Sequence, residues 1–245
     1  MKSSAVAVIV ALNLAVGYAD ISPVIEVCNR TDPALAKCLF EVVDKLRPNI
    51  ASGDFGENRT AAPLDPFEID RIDIDRGKSL KASLTNITIY GITGFVLRKI
   101  RHNLAERKFN ISARLPSVQV KGQYDLSMTI LVLKLTGKGP FNMTFNDTLV
   151  NLKIHYYLEP EDGRNYIKFH PIGLKIKFKD AQFYLKNLFN GDPVLEQIGN
   201  QAINANPHVF LDEVKPALIE KLSKSLTDIS NAVVEGSEED ELLPP

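Results

Sequence analysis

From Phe67 to Phe189 the apolar residues recur mostly every second position, and this period restricts the fold more than any other feature of the chain. A strand sends successive side chains to opposite faces, so the pattern describes strands with one covered face and one wet face. Phe109, Ile111, Ala113 and Leu115 alternate with polar partners. Val118, Val120, Tyr124, Leu126, Met128, Ile130 and Val132 then hold one phase across 118–132, longer than an ordinary strand. Val150, Leu152, Ile154, Tyr156 and Leu158 repeat the pattern, as do Ile172, Leu174, Ile176 and Phe178. "EPEDGRN" at 159–165 reads as a hairpin turn. The segment 94–108, "GFVLRKIRHNLAERK", fits a helix nearly as well as a strand. A long antiparallel sheet follows, and its apolar face needs a cover.

The cover comes from segments of helical period. In "TDPALAKCLFEVVDKLRP", Asp32 is placed to cap, Pro33 to open the first turn and Pro48 to end the run. After "NGDP" at 190–193, Asp192 caps a helix whose apolar positions begin with Val194, Leu195 and Ile198. A second start at "ANP" leads through Phe210, Val214, Leu218, Leu222, Ile229 and Val233, with Pro216 predicted to kink the helix. That element would reach about 40 Å. The fold class is therefore α+β, a large curved sheet around a long C-terminal helix.

The opening "MKSSAVAVIVALNLAVGYAD" has the form of a secretory leader, with Lys2, an apolar stretch and small residues before Asp20. The expected organisation is a leader over 1–19, one folded unit over 20–234 and a disordered acidic tail over 235–245, "EGSEEDELLPP". No later stretch is long and apolar enough to span a membrane. Export makes six sequons legible, at Asn29, Asn58, Asn86, Asn110, Asn142 and Asn146. In "FNMTFND", Phe141, Met143 and Phe145 share one face while Asn142 and Asn146 share the other. The two cysteines, Cys28 and Cys38, make an even pair suited to one disulfide in an oxidising compartment. Closing so short a loop is worth about 2.7 kcal/mol in the chain-entropy account.

The chain carries 29 basic and 30 acidic residues. Removing the leader takes away Lys2 and leaves 28 against 30, so there is no basic excess to attract nucleic acid or an anionic membrane. Catalytic patterns are absent from the sequence. His102, His155, His170 and His208 form no HExxH and no pair at ligand spacing, and no GxSxG elbow or phosphate-binding glycine loop occurs. "DIDRG" at 73–77 lacks the remaining carboxylates of a calcium loop. Neither an enzyme, a metal site nor a cofactor is indicated.

The paired cysteines with "CLFEVVDKLRPNIASG", then "PLDPFEIDRIDI", "LPSVQVKGQYDL", "LTGKGPFNMTFNDTLVNLKI" and "LFNGDPVLEQIGNQAINANPHVFLDEVKPALIEKL" together resemble the insect takeout/juvenile hormone-binding protein family. The chain departs from it where Pro207 follows Asn206, a place the family often gives to Trp. The resemblance implies a twisted sheet wrapping the long helix, an apolar tunnel between them, and a likeness to one lobe of tubular lipid-binding proteins. It also implies a secreted, monomeric carrier of a small hydrophobic ligand (juvenile hormone, terpenoid or fatty acyl), with clock-linked roles in feeding or behaviour. The other reading is a secreted modulator acting through a receptor or other extracellular protein. The predicted tunnel wall takes Tyr124, Leu126, Met128, Ile130, Phe141, Met143, Leu152, Ile154 and Tyr156 from the strands. Phe210, Val214 and Leu218 complete it from the helix, and the Tyr124 and Tyr156 hydroxyls would orient the ligand.

Overall fold

A computed structural model describes residues 26–56, 59–77, 80–130 and 132–245, without the side chains of Ile130 and Leu133. The expected leader and Asn58 lie outside the described residues. The period of two becomes an eight-stranded antiparallel sheet. Its centre is a hairpin of two long strands, β4 (Lys108–Ile130) and β5 (Leu133–Glu161), paired from Lys108↔His155 to Ile130↔Leu133. Beyond β4 lie β2 (Leu80–Tyr90) and β3 (Val96–Asn103), and β1 (Phe67–Asp75) pairs with β2. The other side of β5 is shared end to end by β8 (Asp180–Leu185), β7 (Gly173–Lys177) and β6 (Arg164–Phe169). The hairpin turn falls at Asp162 and Gly163, both at positive φ, between Glu161 and Arg164. The ambiguous segment resolves as β3. Its buried Leu97 and Ile100 sit three apart because the pairing shifts between Leu97 and Lys99.

The inward side of the central hairpin changes parity midway. On β5 the covered residues are Phe141, Met143 and Phe145, then Thr148. On β4 the inward series runs Ile111, Ala113, Leu115 and then Val118, Val120. Both jogs occur at one level, where Pro116 faces Asp147 between the pairs Leu115↔Thr148 and Ser117↔Asn146. Asp147 adopts φ 56°, a conformation that short polar side chains tolerate best among non-glycine residues. Arg114 and Lys179 hold its carboxylate, the latter at 2.7 Å.

Helix α4 (Pro207–Val233) covers the sheet, burying Phe210 and Val214 and half-burying Leu218, Leu222 and Leu226. Pro207 opens its first turn and Pro216 lies inside it. Polar side chains on one stripe of α4 satisfy the backbone of the β6–β7 connection. The Ile172 N–H donates to Thr227 Oγ1 at 2.9 Å, Ser223 Oγ donates to the Ile172 carbonyl at 2.6 Å, and the Phe169 N–H donates to Asn231 Oδ1 at 2.8 Å. Helix α3 (Pro193–Ala205), capped by Asp192, does the same for β8. The Leu185 N–H donates to Asn200 Oδ1 at 2.8 Å and Asn200 Nδ2 donates back to the Leu185 carbonyl at 2.9 Å. Asn204 repeats the exchange with Phe183. The edge of the sheet is thereby closed by side chains that stand in for a further strand. The helix forms where the period places it, but Val194, Leu195 and Ile198 point to solvent, and α3 turns Gly199, Asn200 and Ile203 inward.

At the chain's start, α1 (Leu35–Lys45) is followed at once by α2 (Arg47–Ser52), whose first turn contains Pro48. Pro48 therefore begins a helix where the sequence pattern had it end one. Cys28 and Cys38 are bonded, with Cα atoms 5.9 Å apart. The acidic tail, expected to be disordered, is packed instead. Its α5 (Glu239–Leu242) is closed by a capping box from Glu238 and Glu241, and Ser237 and Leu243 are buried. Charge composition misleads here because the acids have partners. Tyr156 OH donates to Glu239 at 2.7 Å, Arg107 reaches the same carboxylate at 3.1 Å, and Arg30 pairs with Asp240.

Burial alone would raise the Glu239 pKa, but the hydrogen bonds from Tyr156 and Arg107 outweigh it and hold the carboxyl below its usual range. The hydrogen bonds from Lys179 and then Arg114 bring Asp147 down to about 2. A depressed carboxylate stabilises the fold above its unfolded pKa, about 4, and loses that contribution as pH falls through the folded value. Thermal melts across an acid series should therefore show stability declining below about pH 4. Glu239→Gln should remove part of that decline, and an unchanged profile would show that the tail contact carries none of it.

Candidate functional site

Between α4 and the middle of the sheet lies a cavity of about 270 Å³. Leu218, Leu222 and Leu226 form its helical side. Ile111, Ala113, Leu115, Val118 and Val120 of β4 and Phe145, Thr148, Val150 and Leu152 of β5 form its floor. Leu174, Ile176 and Phe178 close one flank; Phe67, Ile89 and Leu97, with Leu64, Ile92 and Phe95, close another. Val43 of α1 and Ile50 of α2 complete the lining. No lining residue is charged, and Thr148 alone among them has a polar side chain. Its hydroxyl is buried and has no hydrogen-bond partner. A hollow of about 440 Å³ lies on the outer face, but Lys99, Arg101, Lys153 and Lys175 surround it, which disqualifies it for an apolar ligand despite its size.

The cavity occupies only one half of the space between sheet and helix. In the other half large rings meet: Phe183 and Phe210 pack edge to face with centroids 5.2 Å apart. The Phe141 ring lies across Gly122, where a Cβ would stand 2.8 Å from it, so a residue larger than glycine would collide there. Of the predicted wall, Leu152 and Leu218 line the cavity. Tyr124, Leu126, Met128, Phe141, Met143, Phe210 and Val214 are instead close-packed core of the filled half. Ile154 is half-buried opposite Phe109, Tyr156 lies under the tail, and the side chain of Ile130 is outside the described residues.

Neither tyrosine lines this cavity, and each hydroxyl donates its proton elsewhere. Tyr124 OH donates to the Lys186 carbonyl at 2.8 Å, and burial, then the charge of Glu196, pushes its pKa up to about 12. Tyr156 is spent on Glu239, and burial and that bond raise its pKa too. A sign of this cavity was present in the sequence: the Ile111–Val120 series holds one alanine and no aromatic, so it leaves space that Tyr124 and Phe141 fill elsewhere. Among the described residues, Asn29, Asn86, Asn110 and Asn142 are exposed and Asn146 is half-exposed. No group of three or more His, Cys, Asp or Glu able to hold a metal occurs among those residues, and no helix of theirs is long and apolar enough to cross a membrane.

A family model described as haemolymph juvenile hormone binding protein (JHBP) matches residues 5–244. The chain belongs to that family. A solved structure supports the architecture: Takeout 1 of Epiphyas postvittana superposes with a TM-score of 0.80 at 22% identity, over 90% of this chain and 100% of that one. The chain is also similar to the circadian clock-controlled protein daywake of Drosophila melanogaster, 25% identical over an alignment of 184 positions that covers 70% of each chain. Daywake of Drosophila yakuba is 24% identical over the same shares.

Proposed function

We propose that the protein is a secreted, non-enzymatic, monomeric carrier that holds a small hydrophobic ligand of terpenoid, juvenile hormone or fatty acyl type in the cavity beneath α4. The observation that carries this reading is a cavity wall without a charged group. Membership of a family described as juvenile hormone binding supports the ligand class, and the daywake relatives, described as circadian clock-controlled, support a clock-linked setting. The leader-like opening and the sequons support export, with glycans at Asn110 and at Asn142 or Asn146 on the wet face of the sheet.

A ligand that withdraws about 400 Å² of apolar surface gains roughly 10 kcal/mol gross. Lost translational and rotational freedom removes about 4 kcal/mol or more, leaving dissociation constants of roughly tens of micromolar before any hydrogen bond is counted. With no ion pair at the site, affinity should change less than about twofold between low and high salt. Native mass spectrometry of protein secreted from insect cells, before and after deglycosylation, is the direct test. A co-purifying apolar molecule is expected. An empty protein that takes up neither a terpenoid nor a fatty acyl ester would overturn the reading.

A further inference from the structure

We infer that Thr148 is the polar anchor of the cavity, and that the ligand is an uncharged apolar molecule carrying a hydrogen-bonding oxygen, such as that of an ester, ketone or alcohol. The inference deepens the carrier reading and rests on it. Thr148 is 2% exposed, lines the cavity, and its Oγ1 has no partner. Buried hydroxyls are almost always satisfied, because an unmade bond keeps the full desolvation cost. Local chemistry offers this one no remedy. In a strand it has no preceding helical carbonyl to bond, its ladder partner Leu115 is apolar, and so is every other residue that lines the cavity with it, among them Val150 and Leu222.

The site also states what the ligand is not. Asp147 is adjacent in sequence, but Arg114 and Lys179 engage its carboxylate. No cation lines the wall to balance a carboxylate, and no anion to balance an amine. A hydroxyl is both donor and acceptor, so it suits a neutral oxygen of either kind. Once such an oxygen reaches it, the unmet bond of Thr148 Oγ1 becomes a selectivity for that class over plain hydrocarbon.

Methyl dodecanoate, pentadecane and dodecanoic acid provide matched probes, read by displacement of an apolar naphthylamine dye. The native protein should prefer the ester to the hydrocarbon by about fivefold to tenfold. At neutral pH it should bind the acid at least about tenfold more weakly than the ester. Thr148 also completes the sequon at Asn146, so the hydroxyl is best removed in a background already lacking that sequon. Asn146→Gln should keep the ester preference and Asn146→Gln/Thr148→Val should lose it. Thr148→Ser, which retains both hydroxyl and sequon, should keep it as well. If ester and hydrocarbon bind but the valine variant keeps the same ratio, Thr148 is not the anchor while the carrier reading stands. Failure of both ester and hydrocarbon to displace the dye from native protein overturns the carrier reading and the anchor with it.

Discussion

Ala113→Phe should abolish ligand binding without harming the fold. Ala113 sits on the cavity floor opposite Val150, also a lining residue. A phenyl ring there would occupy much of the roughly 270 Å³ and leave no continuous space for an acyl or terpenoid chain. Affinity should fall at least about a hundredfold, which corresponds to losing roughly 110 Å² of the apolar contact that drives binding. The melting temperature should hold or rise slightly, since the ring fills a void that now lacks contacts. Leu126→Ala is the counterpart. Leu126 is 4% exposed in the filled half, so its truncation should cost about 2–4 kcal/mol of stability and leave affinity within about threefold. Dye displacement and thermal melts on both variants decide the matter. If Leu126→Ala weakens binding as much as Ala113→Phe, the ligand occupies the filled half and the cavity is wrongly assigned.

The second large effect is expected far from the cavity. Asn200→Ala removes both partners of the Leu185 backbone in a place where Asn200 is 8% and Leu185 1% exposed. Two buried backbone groups would be left unmet, at a combined cost of about 2–4 kcal/mol. In a chain of this size that lowers the melting temperature by roughly 6–12 °C. Asn204 makes the same exchange with Phe183 but is exposed, so water can replace it, and Asn204→Ala should cost about 1 kcal/mol. Equal losses from the two variants would mean that the asparagines contribute through the helix alone and not through the edge of β8.

The sheet was legible because one-sided burial writes itself as alternation, and β4 and β5 carry that pattern almost unbroken. What escaped had physical reasons. In β3 the shift between Leu97 and Lys99 breaks the period, so a strand resembled a helix. In α3 the inward face is partly amide, because it meets strand backbone, and hydropathy assigns such a face to water. The tail looked disordered from its charge, but its acids meet Arg30, Arg107 and Tyr156, residues remote in sequence. The cavity was placed too near the hairpin tip because alternation marks a covered face without saying how full it is. Residue size tells more: Phe141, Tyr124 and Phe210 crowd one half, while Ala113, Val118, Val120 and Val150 leave the other open.

The facing jogs at Pro116 and Asp147 tie the lengths of the two central strands together. Each strand carries one surplus residue at this level, and the surpluses cancel because they lie opposite one another. Losing both would leave every other side chain on its present face and every other pair in place. Losing one alone would set the remainder of its strand a residue out of step with its neighbour, turning either Val150 and Leu152 or Ile111 and Ala113 toward water. Insertions and deletions at this point of the hairpin are therefore admissible only in pairs, so the two strands can change length here only together.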